Sequence, residues 1–268
     1  MTEAIQIGNR TITASELISL LANYQMLPQL RRELIIDQAI EQNSRSEKVA
    51  IECTLEEVAQ AKQQFYAEKQ FKNEEDIQAW MAHQGLTPEQ LEVITTRKLK
   101  IEKFKQASWG NKLESYFFQS KAKLDKVIYS LLRTQDVGIA QELYFRIQAK
   151  ENSFADLARD YSLGPEAQTG GLVGPIELNA LHPVMVQMLS SSQPGQILPP
   201  TRIADWLVIL RLEKFIPAQL DEFMKVRLLN ELFETWLQEQ QKQIMSAASA
   251  AQGEADSGQH REGDKGLT

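Results

Sequence analysis

The sequence predicts an α+β protein, mostly helical, in which a small mixed domain is inserted into a helical frame. Three observations carry this. The first 122 residues show apolar side chains at three- and four-residue steps, with helix-capping signals between them. Residues 123–216 change texture: β-branched apolar runs alternate with short helical segments and a loop rich in Gly and Pro. Residues 217–245 return to one long helical stripe, and residues 246–268 lose all periodicity.

The elements follow in order. Residues 5–12 (IQIGNRTI) alternate around a Gly-Asn turn and fit a short hairpin or an extended segment. Thr13 or Ser15 can cap a helix bearing Leu17, Leu20, Leu21 and Tyr24. The pattern restarts at Pro28, which belongs in a first helical turn or at a break between helices. Thr54-Leu55-Glu56-Glu57 reads as a capping box opening a helix that runs to about Lys69. Asn73 caps a short helix with Ile77, Trp80 and Met81, and Gly85 ends it. Thr87-Pro88-Glu89-Gln90 starts a long helix to about Ala107, with further helix to about Lys121.

In the middle third, Lys126–Arg133 is β-branched and apolar, as a buried strand is. Residues 136–150 form an amphipathic helix with Ala140, Leu143, Tyr144 and Ile147 on one face. Ser153 caps a second helix, FADLARDY. The segment SLGPEAQTGGLVGP reads as a loop, residues 183–189 as a short helix, Gln193-Pro194-Gly195 as a turn, and DWLVILRLEKF as the last strand. The expected order is β-α-α-loop-α-β-β. Pro217 ends it, and residues 218–245 form one helix with Leu220, Phe223, Val226, Leu229, Leu232, Phe233, Trp236 and Leu237 as its apolar stripe. A stripe that wide and aromatic needs a partner, for which the N-terminal helices are the expected surface. Residues 246–268 are expected to be disordered.

Composition excludes several functional classes. A net charge of -7, with basic residues spread along the chain, disfavours a nucleic-acid binder. The densest basic run, Arg97-Lys98-Leu99-Lys100 with Lys103 and Lys105, is spaced as a solvated helix face. One cysteine, Cys53, allows neither an intrachain disulfide nor a thiolate metal cluster, and it reads as an ordinary packed side chain. No run has the ~18 apolar residues that cross a bilayer. Met1-Thr2-Glu3-Ala4 begins no signal-peptide pattern, so the expected location is cytoplasmic. Glu56-Glu57 and Glu74-Glu75-Asp76 are acids of first helical turns, suited to the helix dipole rather than to acid–base work.

The middle third resembles a known family. FADLARDYS, then Gly170-Gly171-Leu172-Val173-Gly174, then Leu181-His182-Pro183-Val184-Met185, then Gln193-Pro194-Gly195-Gln196-Ile197, follow the order and spacing of the parvulin peptidyl-prolyl isomerases. The likeness covers about residues 124–215. The helices around it resemble the SurA and PrsA type of chaperone frame, in which a terminal helix packs on the N-terminal domain.

The resemblance implies a prolyl isomerase that uses no cofactor and no metal and acts on unfolded or proline-containing polypeptide clients. The net charge and the absence of a long apolar run, for their part, lead to the expectation of no nucleic-acid partner and no membrane insertion. Leu131, Val173, Leu181, Met185 and Val208 are then the expected substrate-binding residues, and Tyr129 the expected catalytic position. Gly164, Gly170, Gly171 and Gly174 form the loop. The polar positions depart from the family. Tyr129 stands where the family has a first-strand histidine, and Gly164 where it has Asp or Cys. A second histidine is replaced by Val208, or by Leu207 or Trp206 in a shifted reading.

Two bland readings stand beside these. His182 is a surface or helix-start histidine before it is a general acid. Tyr129 is a core aromatic before it is a groove residue. Three functions compete: an isomerase acting on unfolded chains, a parvulin-fold module that binds clients with little or no catalysis, and an accessory factor for one client or exporter.

Overall fold

The computed structural model describes residues 4–45 and 51–259. The chain divides into two compact units, one formed by Met1–Asn111 with Val226–Thr268, the other by Lys112–Lys225.

The first unit is helical apart from an N-terminal hairpin. Strands β1 (Ala4–Ile7) and β2 (Arg10–Thr13) pair antiparallel around Gly8, whose φ of +59° suits a residue without a Cβ. Helix α1 (Ala14–Asn23) opens on a capping box in which Thr13 and Glu16 satisfy each other's backbone N–H. Helix α2 spans Leu27–Arg45, with Pro28 in its first turn. Helices α3 (Leu55–Glu68) and α5 (Pro88–Trp109) also start on capping boxes, Thr54 with Glu57 and Thr87 with Gln90. Between them, α4 (Glu74–Gln84) starts on Asn73 and ends on Gly85 at φ +66°.

The last helix, labelled α10 in the full chain, spans Glu222–Gln259. Its Phe233 and Leu237 pack with Ile35 and Ile36 of α2, Ile51, and Phe104 of α5. Phe104, Trp109, Phe233 and Trp236 form an edge-on and tilted cluster with ring centroids 5.3–6.3 Å apart.

Three sequence expectations change in this unit. The helix does not stop at residue 245: it continues to Gln259 through Ser246-Ala247-Ala248-Ser249-Ala250-Ala251, so residues 246–259 are helical backbone. Alanine, the best helix former, supplies four of the first six residues of this segment. The expectation for 260–268 lies outside the described residues. The apolar stripe holds at Leu229, Phe233 and Leu237 but not at its start. Phe223 and Val226 are exposed, whereas Leu228, Leu229, Phe233 and Leu237 are buried at true helical spacing. Finally, the basic run is not a plainly solvated face. Arg97 pairs with Glu33 at 2.6 Å and with Asp37, and Lys103 pairs with Glu57 at 2.6 Å. Lys105 is buried over the Phe233 ring with its ammonium on Asn230 and Glu102.

The second unit is the mixed one. Helix α6 (Leu113–Leu124) leads through Asp125 into strand β3 (Lys126–Thr134). Asp125 is nearly buried and accepts from the Lys121 ammonium at 2.9 Å and the Ala218 N–H at 2.7 Å, which ties the two ends of the unit together. Helices α7 (Val137–Gln148) and α8 (Phe154–Tyr161) follow, capped by Asp136 and by Ser153, the second as the sequence predicts. After a 3-10 turn (Pro165–Thr169) come strand β4 (Leu172–Glu177), helix α9 (Pro183–Ser190), and strands β5 (Ile197–Ile203) and β6 (Trp206–Ile216).

The four strands form one antiparallel sheet in the order β4-β3-β6-β5. The segment read as loop therefore contains a strand. Gly171 and Gly174, at φ +85° and +113°, break the alternation that would have revealed it. One face of the sheet packs Leu132 and Ile209 against Leu143, Ile147, Phe154, Leu157 and Ala158 of α7 and α8. The other face packs against α9, and the candidate site lies on that side.

Candidate functional site

The period-2 alternation of β3 and β6 decides which side chains reach the α9 face. Val127, Tyr129 and Leu131 from β3 and Val208, Leu210 and Leu212 from β6 point there, where Met185 and Leu189 of α9 cover them. Val173 of β4 and Leu181, just before α9, pack on the same layer. All six side chains proposed from the sequence, Tyr129, Leu131, Val173, Leu181, Met185 and Val208, are thus brought into one apolar layer. They are not equally available. Tyr129, Met185 and Val208 are buried, at 4%, 9% and 5% exposure, while Leu131, Val173 and Leu181 are half-buried. The half-buried three are the ones a ligand can touch without rearrangement.

Tyr129 and Val208 share the layer but are not neighbours. Tyr129 pairs with Leu212 across β6 and with Val173 across β4. Val208 pairs with Arg133, four residues along β3, a distance of roughly 13 Å at ~3.3 Å per residue. Side chains at these two positions do not meet.

The glycines act through space as well as φ. Gly170, at φ +63°, closes the 3-10 turn. A Cβ on Gly171 would lie 2.8 Å from the Leu131 carbonyl oxygen, and one on Gly174 would lie 2.6 Å from that of Val127. Both glycines therefore let β4 come close to β3. Gly164 has an ordinary φ of −117°, and a Cβ there would meet the Arg133 guanidinium, 2.0 Å from Nε.

That guanidinium belongs to a polar cluster that the sequence reading did not single out. Arg133 donates through Nε to Glu166 Oε1 at 3.0 Å and through Nη2 to Oε2 at 2.8 Å, a two-pronged pair. The Ser162 hydroxyl donates to Glu166 Oε1 at 2.6 Å and accepts from the Arg133 backbone N–H at 3.1 Å. The Trp206 ring lies 5.5 Å from the guanidinium carbon. Glu166 is 6% exposed, so removing its partner would strand a buried charge at a cost of about 3–5 kcal/mol. A lone arginine inside the apolar run KVIYSLLRT was the available signal, but its partner sits in a segment that reads only as loop.

Burial pushes the Tyr129 hydroxyl above its ordinary pKa, and the Glu166 charge pushes the same way, with Arg133 opposing. Tyr129 therefore stays protonated at neutral pH and acts only as a neutral group. His182 caps α9, its Nδ1 accepting from the Val184 N–H at 3.3 Å, and it is exposed. On the opposite face of the sheet, Ser130 donates to Glu213, which also holds Arg211 at 2.6 Å. Among the described residues no group of three His, Cys, Asp or Glu side chains is placed to hold a metal.

One family model matches part of the chain. Residues 133–214 match the rotamase family described as the PPIC-type PPIase domain. The chain carries a parvulin domain. The match begins at Arg133, so Tyr129 and Leu131 precede it.

Solved structures that this chain matches include the peptidylprolyl isomerase PrsA of Bacillus cereus, with 20% identity, 88% of this chain and 86% of that chain covered, and a TM-score of 0.46. PrsA of Bacillus anthracis shows 17% identity, coverage of 78% and 89%, and a TM-score of 0.40. One of two SurA-like chaperones of Campylobacter jejuni shows 13% identity, coverage of 92% and 98%, and a TM-score of 0.34. No curated protein is similar enough to match.

Proposed function

We propose that this chain is a foldase whose parvulin domain isomerises Xaa–Pro bonds in unfolded or partly folded polypeptides. The match of residues 133–214 to the PPIC-type model, on an apolar layer left half open at Leu131, Val173 and Leu181, carries this reading. Rotation about an Xaa–Pro bond meets a barrier of ~20 kcal/mol because the amide must lose resonance. No nucleophile is needed. A surface that holds the proline ring, sheds water from it and favours the twisted amide lowers that barrier. Leu131, Val173 and Leu181 supply the contact, and buried Tyr129, Met185 and Val208 make it rigid from below. The chemistry calls for no cofactor.

A second reading is favoured by the polar cluster. Arg133 and Glu166 satisfy each other, and no histidine stands in the layer, so the domain can also serve as a client-binding platform with weak catalysis. Polypeptide clients are common to both readings. The expected cytoplasmic setting is part of the proposal, to be tested by fractionation. Among the described residues no helix is long and apolar enough to cross a membrane.

The experiment compares Leu181→Ala with the unaltered chain in two assays, peptide isomerisation and suppression of aggregation of an unfolded client. The isomerase reading expects Leu181→Ala to lose about tenfold in kcat/KM, as loss of ~1.4 kcal/mol of contact gives. Acceleration absent in both chains, with suppression kept, would select the platform reading.

A further inference from the structure

We propose that Arg133 is the hydrogen-bond donor to the rotating bond, its Nη1 group donating to the ring nitrogen of the client proline. This rests on the isomerase reading above and names the group that the apolar layer alone does not supply.

Three observations carry it. First, the guanidinium is fixed. Nε and Nη2 are both spent on Glu166 at 3.0 and 2.8 Å, Glu166 is itself held by Ser162 at 2.6 Å, and the plane lies over Trp206. Second, it is fixed with a donor to spare. The side chain stands on the same face of β3 as Tyr129 and Leu131, keeps 27% of its surface exposed, and among the described residues makes no hydrogen bond through Nη1. Third, the space for it is made by Gly164. Any side chain there would stand 2.0–2.3 Å from Nε, Nη2 and the guanidinium carbon. Gly164 is also where the parvulin resemblance places an Asp or Cys. The missing side chain and the presence of Arg133 are one arrangement: a cation occupies the room that the usual polar group vacates.

The chemistry selects the target atom. In the planar amide the proline nitrogen has given its lone pair to the carbonyl and accepts no hydrogen bond. As the bond twists, the lone pair returns to nitrogen and the carbonyl oxygen loses negative charge. A donor at nitrogen therefore binds the twisted form better than the planar one, which is what acceleration requires. A donor at the oxygen would do the reverse. Arginine stays protonated at any working pH, so it donates a hydrogen bond and transfers no proton.

The test uses the full chain and a proline-containing tetrapeptide, with kcat and KM measured separately. Two variants displace the donor in different ways. Gly164→Ala keeps Arg133 but pushes its flexible end aside, at a backbone φ that alanine adopts freely. Arg133→Gln with Glu166→Gln replaces the charged pair by a neutral one and leaves no stranded charge. Both are expected to keep the wild-type circular dichroism, to lose about 10- to 100-fold in kcat, somewhat less than the loss of one donor in an oxyanion hole, and to hold KM within a few fold.

Folded variants with unaltered kcat, or with the loss confined to KM, overturn the proposal while leaving the isomerase reading intact. Unfolding of both variants also overturns it, since the cluster is then a structural device. A wild-type chain with no acceleration overturns the isomerase reading, and this proposal with it.

Discussion

At Gly171 the carbonyl of the loop residue accepts the Leu131 N–H at 2.8 Å, while the missing Cβ keeps clear of the Leu131 oxygen, of Ala158 and of Phe154. A side chain there meets both a positive φ and a backbone atom, neither of which yields cheaply. Gly171→Ala is expected to lower stability by more than about 1 kcal/mol, read as a fall in thermal midpoint. Replacement at Gly164 acts instead on the Arg133 guanidinium, so its cost depends on how far that group is moved from Glu166.

Charge acts at the same scale in the first unit. The Arg32 guanidinium grips Glu234 at 2.6 Å and holds its carboxyl below the ordinary 4.5. A depressed acid stabilises the fold above its unfolded pKa and loses that contribution as pH falls through the folded value. Both side chains are more than a third exposed, so the effect is under about 1 kcal/mol. Glu234→Gln should flatten the decline of thermal stability between pH 5 and 3. An equally steep decline in that variant would assign the loss to other acids.

Among the elements, the legible ones were those whose signals are local. The capping box at Thr54, the helix start at Thr87-Pro88, the caps at Asn73 and Ser153, and the C-terminal Gly85 all stand where the sequence puts them, because each is made within four residues. Strand β4 was not legible. Its partners, Tyr129 and Ser130, lie some forty residues upstream, and its glycines and Pro175 read as loop. The Arg133–Glu166 pair was hidden for the same reason, since it joins a strand to a turn 33 residues away. In α10 the buried Leu229, Phe233 and Leu237 were legible, whereas Phe223 and Val226 at the start of the helix were expected inside and stand exposed. The buried side is tested by Phe233→Ala. Its ring sits among Phe104, Trp109 and Trp236, and its loss should cost about 3–5 kcal/mol in chemical denaturation. Phe223→Ala, on the exposed side, should cost little by comparison.

Over the whole molecule, the sequence organisation maps onto two units with shifted borders. The mixed unit runs over Lys112–Lys225 rather than 123–216, because helix α6 belongs with the sheet, where it packs beside a 3-10 turn at Leu178–Ala180, just after β4. The family pattern fixes Tyr129, Leu131, Val173, Leu181, Met185 and Val208 by spacing, and the fold gathers them in one layer. The cluster of Arg133, Glu166 and Ser162 was not legible, because Arg133 lies 33 residues from Glu166. What remains in the layer is a half-open apolar surface over a rigid floor, and the central claim is that this surface catalyses rotation about proline. The most direct measurement is a protease-coupled isomerisation assay of the full chain on a series of Xaa–Pro peptides at low temperature. The account predicts acceleration proportional to enzyme concentration and reduced in Leu181→Ala and Met185→Ala. A folded chain that leaves the uncatalysed rate unchanged across the whole peptide series would contradict it.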